Sequence, residues 1–218
     1  MPKLSIVIPA YKTPERYLKE MLNSILAQTY ENWEVCVADG SPAGEGIERV
    51  LRRYAEKDQR FKYVILGENK GISGNTNAAM DMAVGDFIVL ADHDDTLPPH
   101  ALFEVAKAIN EHPGADVIYS DEDKMDMDGG ALFDPHFKPD FNIDLLRSVN
   151  YICHLFVVSH DLAAGWEDSG RNLTAPRTMI LFSDARREPQ RSVISPRCCI
   201  TGAATRIPPP ATRRASSM

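Results

Sequence analysis

The sequence predicts an α/β fold with a mostly parallel central sheet and helices on both faces. Two observations predict it. Short apolar, β-branched runs alternate with amphipathic helical stretches, and each apolar run ends in a polar or glycine-bearing turn. Strands are expected at Leu4–Ile8, Trp33–Ala38, Tyr63–Leu66, Phe87–Ala91 and Val117–Tyr119. After the first of them, Pro14–Gln28 brings Leu18, Met21, Leu22, Ile25 and Leu26 to one face at helical spacing. Further helices are expected over about Gly46–Lys57, Gly74–Val84 and Pro99–Glu111, the last with Pro98 and Pro99 suited to a first turn. Doubly wound sheets of this kind bind ligands beyond the carboxyl ends of their strands, so the residues that follow each strand are the candidates for function.

A chain of 218 residues accommodates one substantial domain with a buried core. Its formal charge of −7 argues against a nucleic-acid partner, because neutralising phosphates takes a surplus of Lys and Arg. The opening MPKLSIVIPAY reaches Pro9 too soon for a signal-peptide core, and no stretch approaches the roughly 20 apolar residues of a membrane span, so a cytoplasmic protein is expected. Cys36, Cys153, Cys198 and Cys199 show no CxxC spacing and read as reduced thiols. Composition changes abruptly along the chain. Every Lys and His precedes residue 161, whereas from Gly165 onward there are nine Arg, no Lys and six of the 15 Pro. Up to Ala164, 15 Lys and Arg face 27 Asp and Glu, a charge of −12; the remainder carries +5. We therefore expect one domain over residues 1–162 and an atypical, poorly ordered Arg- and Pro-rich tail over 163–218.

The expected strands deliver Pro9-Ala10-Tyr11, Asp39-Gly40-Ser41-Pro42, Glu68-Asn69-Lys70-Gly71 and Asp92-His93-Asp94-Asp95 to one edge of the sheet. Three acids within four residues repel one another, and a hard divalent ion with oxygen ligands is the natural compensation. The plain alternative is an acidic turn that caps the next helix. No GxGxxG follows the first strand and no P-loop is present, which disfavours dinucleotide oxidoreduction and P-loop chemistry. Asp121-Glu122-Asp123-Lys124 should follow the fifth strand at the same edge. The spacing does not make a calcium loop, and Met127–Gly130 reads as a hairpin turn. His154 lacks partners at metal-binding spacing and reads as a pocket-wall or core residue.

Taken together, the strand-end aromatic, the strand-end Asp, the Asn-x-Gly turn before a small-residue helix and the DxD-type cluster resemble the family 2 glycosyltransferases of bacterial surface polysaccharide and O-antigen synthesis. The runs SIVIPAYKTPERYLKEMLNSILAQTYENWEVCVADGS, GENKGISGNTNAAMDMAVGDFIVLADHDDTL and YSDEDKMDMDGGALFDPHFKPDFNIDLLRSVNYICHL carry the likeness, over about residues 3–162. The resemblance implies a GT-A, Rossmann-like nucleotide-diphospho-sugar transferase fold. It implies that Pro9, Ala10, Tyr11 and Asp39 hold the nucleoside, and that Asn69, Gly71 and Asn75 shape the wall beside ribose and diphosphate. Asp92 would reach the ribose. Asp94 and Asp95 would coordinate Mn2+ or Mg2+, and Asp121 and Asp123 would lie near the transferred sugar and acceptor. The implied partners are a nucleoside-diphosphate sugar donor and a glycan or lipid-linked glycan acceptor, compatible with peripheral association at the inner face of the membrane. On the residues alone, Tyr11 also suits a core-edge aromatic, Asp39 a turn former and Asn75 a helix surface residue.

An inverting transferase of this type also needs a general base, in the family an Asp in a QDYD- or EDxD-like motif. No such motif follows Leu162. Codons read from the last base of one triplet and the first two of the next permit VGGFR at Trp166–Gly170, EFDGSQDYDL over Asn172–Leu181 and VLYHW at Cys198–Gly202. A one-base frame change near Ala164, which would replace the segment carrying the base, is the expectation.

Overall fold

The computed structural model describes residues 1–126, 131–167 and 192–200, with residues 165–167 and 192–200 as backbone only. The elements are β1 (Leu4–Ala10), α1 (Glu15–Leu26), β2 (Trp33–Asp39), α2 (Glu48–Lys57), β3 (Phe61–Ile65), α3 (Gly71–Met80), β4 (Phe87–Leu90), α4 (Ala101–Glu111), β5 (Val117–Met125), β6 (Leu132–His136), α5 (Ile143–Ser148), β7 (Phe156–Ser159), α6 (His160–Glu167) and β8 (Ser192–Ile200). They build one sheet in the order β3-β2-β1-β4-β7-β5-β6, with β8 paired to β5 off this path. Strands β1 to β4 are mutually parallel, as alternation with helices demands. β7 runs antiparallel between β4 and β5, so β5 again points the same way as β4.

The strands separate two cores by their period-two alternation. Leu4, Ile6 and Ile8 of β1 pack with Leu18, Met21, Leu22 and Ile25 of α1 and with Leu102 and Val105 of α4. Val7 of the same strand faces the other way, with Ala79 of α3, Leu146, Tyr151 and Phe156. Leu26, expected on the buried face of α1, is 44% exposed where the helix ends. Buried Gln28 bridges to α4, accepting from the Leu102 N–H at 3.0 Å and donating to the Pro98 carbonyl at 2.8 Å. This ties down the chain between β4 and α4.

At the amino edge of the sheet, Glu34 is 2% exposed. Its Oε2 lies 2.6 Å from Lys3 Nζ and 3.0 Å from Lys62 Nζ, while Oε1 accepts from Ser5 Oγ and the Val84 N–H, each at 2.7 Å. Burial alone would raise its pKa, but these donors outweigh it and bring the carboxyl down to about 2.

The strand after α4 is longer than its apolar run. β5 continues through Ser120–Met125, so Asp121–Lys124 lie within the strand and pair with β6 rather than following it. The charged stretch is held extended by cross-strand pairing, which overrides its weak β-propensity. The 127–130 turn lies outside the described residues, as do 168–191 and 201–218, where the shifted-frame QDYD stretch falls. Cys36 and Cys153 are both free thiols. Among the described residues no helix is long and apolar enough to cross a membrane.

Candidate functional site

Parallel strands bring their carboxyl ends to one edge, where a cavity of about 530 Å³ opens. Pro9 at the end of β1, Asp92 after β4, Glu122 and Asp123 of β5, His136 of β6 and His154 before β7 are among its walls. Segments from five strands thus meet in one space.

Asp92 and His154 line the cavity, and Asp95, buried beside them, completes a group in which one ligand atom from each lies within 4.8 Å of the others. His154 Nε2 stands 3.1 Å from Asp92 Oδ2. Burial pulls the imidazole toward neutrality, but the hydrogen bond to Asp92 and the charges of Asp92, Asp95 and Glu122 prevail and raise its pKa to about 9. Asp95 is 5% exposed. Burial first, then the like charges of Asp92 and Asp94, push its carboxyl up to about 8 against the pull of His154. Two carboxylates and an imidazole, one carboxylate buried beside its own kind, match the donor set of a divalent cation. His154 Nδ1 is buried without a hydrogen-bond partner. No sequence spacing joins His154 to Asp92, because 61 intervening residues and a reversed strand separate them.

The other expected residues form a second, adjoining cluster. Asp39, fully buried, accepts from the Ser41 N–H at 2.9 Å and the Ile47 N–H at 3.1 Å, so its carboxylate shapes the β2–α2 loop. That loop reaches β1 through Ser41 Oγ, which accepts from the Lys12 N–H at 2.8 Å. Asn75, 2% exposed, donates to the Ala10 carbonyl at 3.3 Å and to Asn69 Oδ1 at 3.2 Å, and accepts from the Lys70 N–H at 3.1 Å. It is a buried staple between β1 and α3, where the bare spacing allowed a helix surface residue. Asn69 Oδ1 also accepts from the Gly71 N–H at 2.9 Å, and Gly71 has φ +73°, a conformation that favours glycine. Gly40 is required for a different reason: a Cβ there would sit 2.6 Å from Asn75 Nδ2. Tyr11, just past the end of β1, is 40% exposed.

On the opposite wall, Asp123 faces the cavity, and burial together with Asp121 raises its pKa. Asp121 instead spends Oδ1 on the Lys138 N–H at 2.8 Å. His136 and Lys138 belong to no motif, and Glu122 reads only as a member of the acidic run; their contacts depend on the β5–β6 register, which the 127–130 turn signal does not specify.

Known proteins share the sequence pattern and the fold of this chain. Residues 5–156 match the family described as glycosyl transferase family 2. An uncharacterized protein of Sinorhizobium fredii is 46% identical over 156 residues, covering 72% of this chain and 17% of that protein. The O-antigen biosynthesis protein RfbC of Myxococcus xanthus is 36% identical over 163 residues, 75% of this chain and 13% of that protein. The chain therefore spans only a small part of the length of these relatives. S. aureus TarS 1–349 in complex with UDP-GlcNAc superposes with TM-score 0.68 at 22% identity, covering 91% of this chain and 58% of that one. The mannosyltransferase PcManGT from Pyrobaculum calidifontis, in complex with GDP-Man and Mn2+, gives TM-score 0.61 at 20% identity, covering 92% and 56%. Likeness at this level establishes the fold, which is the GT-A arrangement.

Proposed function

Because this chain belongs to glycosyl transferase family 2, we propose that it binds a nucleoside-diphosphate sugar with a divalent ion and serves its transfer, by single displacement with inversion, to a glycan or lipid-linked glycan. The observation that carries this reading is the Asp92–Asp95–His154 group at the strand ends, of which Asp92 and His154 line a cavity of ligand size. These three residues, with Asp94 beside them, would hold Mn2+ or Mg2+. The ion, when bound, supplies Lewis-acid stabilisation to the departing diphosphate. Tyr11, exposed just past the end of β1, would lie against the base. The loop that Asp39 fixes, together with Asn69, Gly71 and Asn75, forms the wall beside the ribose and diphosphate. Asp123 faces the space left for sugar and acceptor, while Asp121 accepts from the Lys138 N–H on the neighbouring segment. Such an enzyme works in the cytoplasm, with peripheral contact to the membrane wherever the acceptor is lipid-linked.

Calorimetric titration of UDP, GDP and dTDP sugars, with and without Mn2+, tests the donor site. One donor binds in a metal-dependent manner, and Asp94→Ala loses that binding; no binding by the folded protein refutes the reading. A second reading is a donor-binding module without turnover, favoured by the absence of a QDYD- or EDxD-like motif after Leu162. Turnover separates the two, and the codons between Ala164 and Gly202 decide whether a shifted frame spells the missing base.

A further inference from the structure

Lys138 lies between β6 and α5, and its side chain is fully buried. Lysine is rarely found so deep unless its charge is met. An ammonium has three N–H donors, and three acceptors surround this one: the Ile152 carbonyl at 2.5 Å, the His154 carbonyl, and Glu122 Oε2 at 3.5 Å. Glu122 grips the same segment from its other polarity, accepting from the His154 N–H at 3.2 Å through Oε2, while Oε1 faces His136 Nδ1 at 3.1 Å. The backbone of His154 is thus held at its N–H by an anion and at its carbonyl by a cation. This segment has no helix or strand between Ser148 and Phe156 to fix it otherwise. The chain of contacts ends at His154 Nε2 beside Asp92.

We propose that Lys138, with Glu122, is a positioning residue that clamps the 152–154 segment so that the His154 imidazole completes the Asp92–Asp95–His154 group. The proposal rests on reading that group as the metal and diphosphate centre. Lys138 is not among the residues that line the cavity. It acts through the backbone of His154, as outer partners that orient metal ligands do.

The test uses the full chain and Mn2+ alone, with affinity read by electron paramagnetic resonance and stability by thermal unfolding. Lys138→Met lowers Mn2+ affinity by about 10- to 100-fold, and Glu122→Gln lowers it by a smaller factor. Glu34→Gln, at the opposite edge of the sheet, serves as the structural control: it lowers Tm and leaves Mn2+ affinity within about twofold of the parent. Lys138→Met with parental Mn2+ affinity, whatever its Tm, overturns the proposal. Should Lys138→Met fail to fold, Glu122→Gln decides: unchanged affinity overturns the clamp, weakened affinity supports it. If the parent and Asp95→Asn bind Mn2+ alike, the metal reading has failed by itself. The clamp is then judged by the 15N resonance of His154 Nε2, which moves in Lys138→Met if the ring is positioned by it and stays in place if it is not.

Discussion

Asp95→Asn is expected to stabilise the metal-free protein while removing its Mn2+-dependent binding of donor. Asp95 is almost completely buried. Burial and the neighbouring charges of Asp92 and Asp94 oppose its ionisation strongly enough to push its pKa up to about 8, against the pull of His154 and of the backbone hydrogen bond at Asp92. A carboxyl held there without a cation lowers stability, and an amide of the same shape removes that penalty at the cost of function. The expected gain is about 1–2 kcal/mol, or several degrees in Tm. Calorimetry of the same variant should show donor binding that no longer responds to Mn2+. A lower Tm combined with intact metal-dependent binding would mean that Asp95 is a structural acid and that the focus of the site lies elsewhere.

The second large effect lies at the other edge of the sheet. Glu34→Ala removes one acceptor from Lys3, Lys62, Ser5 and the Val84 N–H together. Breaking a buried ion pair from one side costs about 3–5 kcal/mol; Lys3 and Lys62 are about a third exposed and regain water, so the lower end, about 3 kcal/mol, is expected. For a domain of this size that corresponds to a fall in Tm of roughly 10 °C. The pH dependence has a definite sign. The folded-state pKa, about 2, lies below the ordinary 4.5, so the unfolded chain binds the proton more readily as pH falls. The stabilisation is complete above about pH 4.5 and is lost progressively toward about pH 2. Acid unfolding followed by circular dichroism should show this component in the parent and not in Glu34→Ala. Equal acid midpoints for the two proteins would remove Glu34 from the account.

How much of this molecule is legible in its sequence depends on whether the signal is local. Parallel strands β1 to β4 and helices α1 to α4 follow from periodicity and turns, and Pro9, Asp39, Asn69 and Asp92 lie at or just past the carboxyl ends of those strands. Boundaries move where packing outweighs pattern. The third helix starts at Gly71 rather than near Gly74 because the Asn69 side chain fastens that turn. β7 is illegible in position: Phe156–Ser159 is an apolar run like any other, and nothing near it states that it inserts antiparallel between β4 and β5. That insertion is what delivers His154 to Asp92. The same holds for Lys138, whose sequence neighbours mark it as an ordinary surface cation and whose burial is set by a segment 14 residues away. Roles for Asp39 and Asn75 were suggested by resemblance, and the structure adds the hydrogen bonds through which each of them shapes a loop.

The central claim is that Asp92, Asp95 and His154 hold a divalent ion against the diphosphate of a nucleotide sugar. Electron–nuclear double resonance on Mn2+ added to the protein with UDP or GDP tests it most directly. The account predicts a nitrogen coupling that disappears in His154→Gln and a phosphorus coupling from the nucleotide in the same complex. Mn2+ that keeps the spectrum of its free aqua ion at saturating nucleotide, with neither coupling, would contradict it.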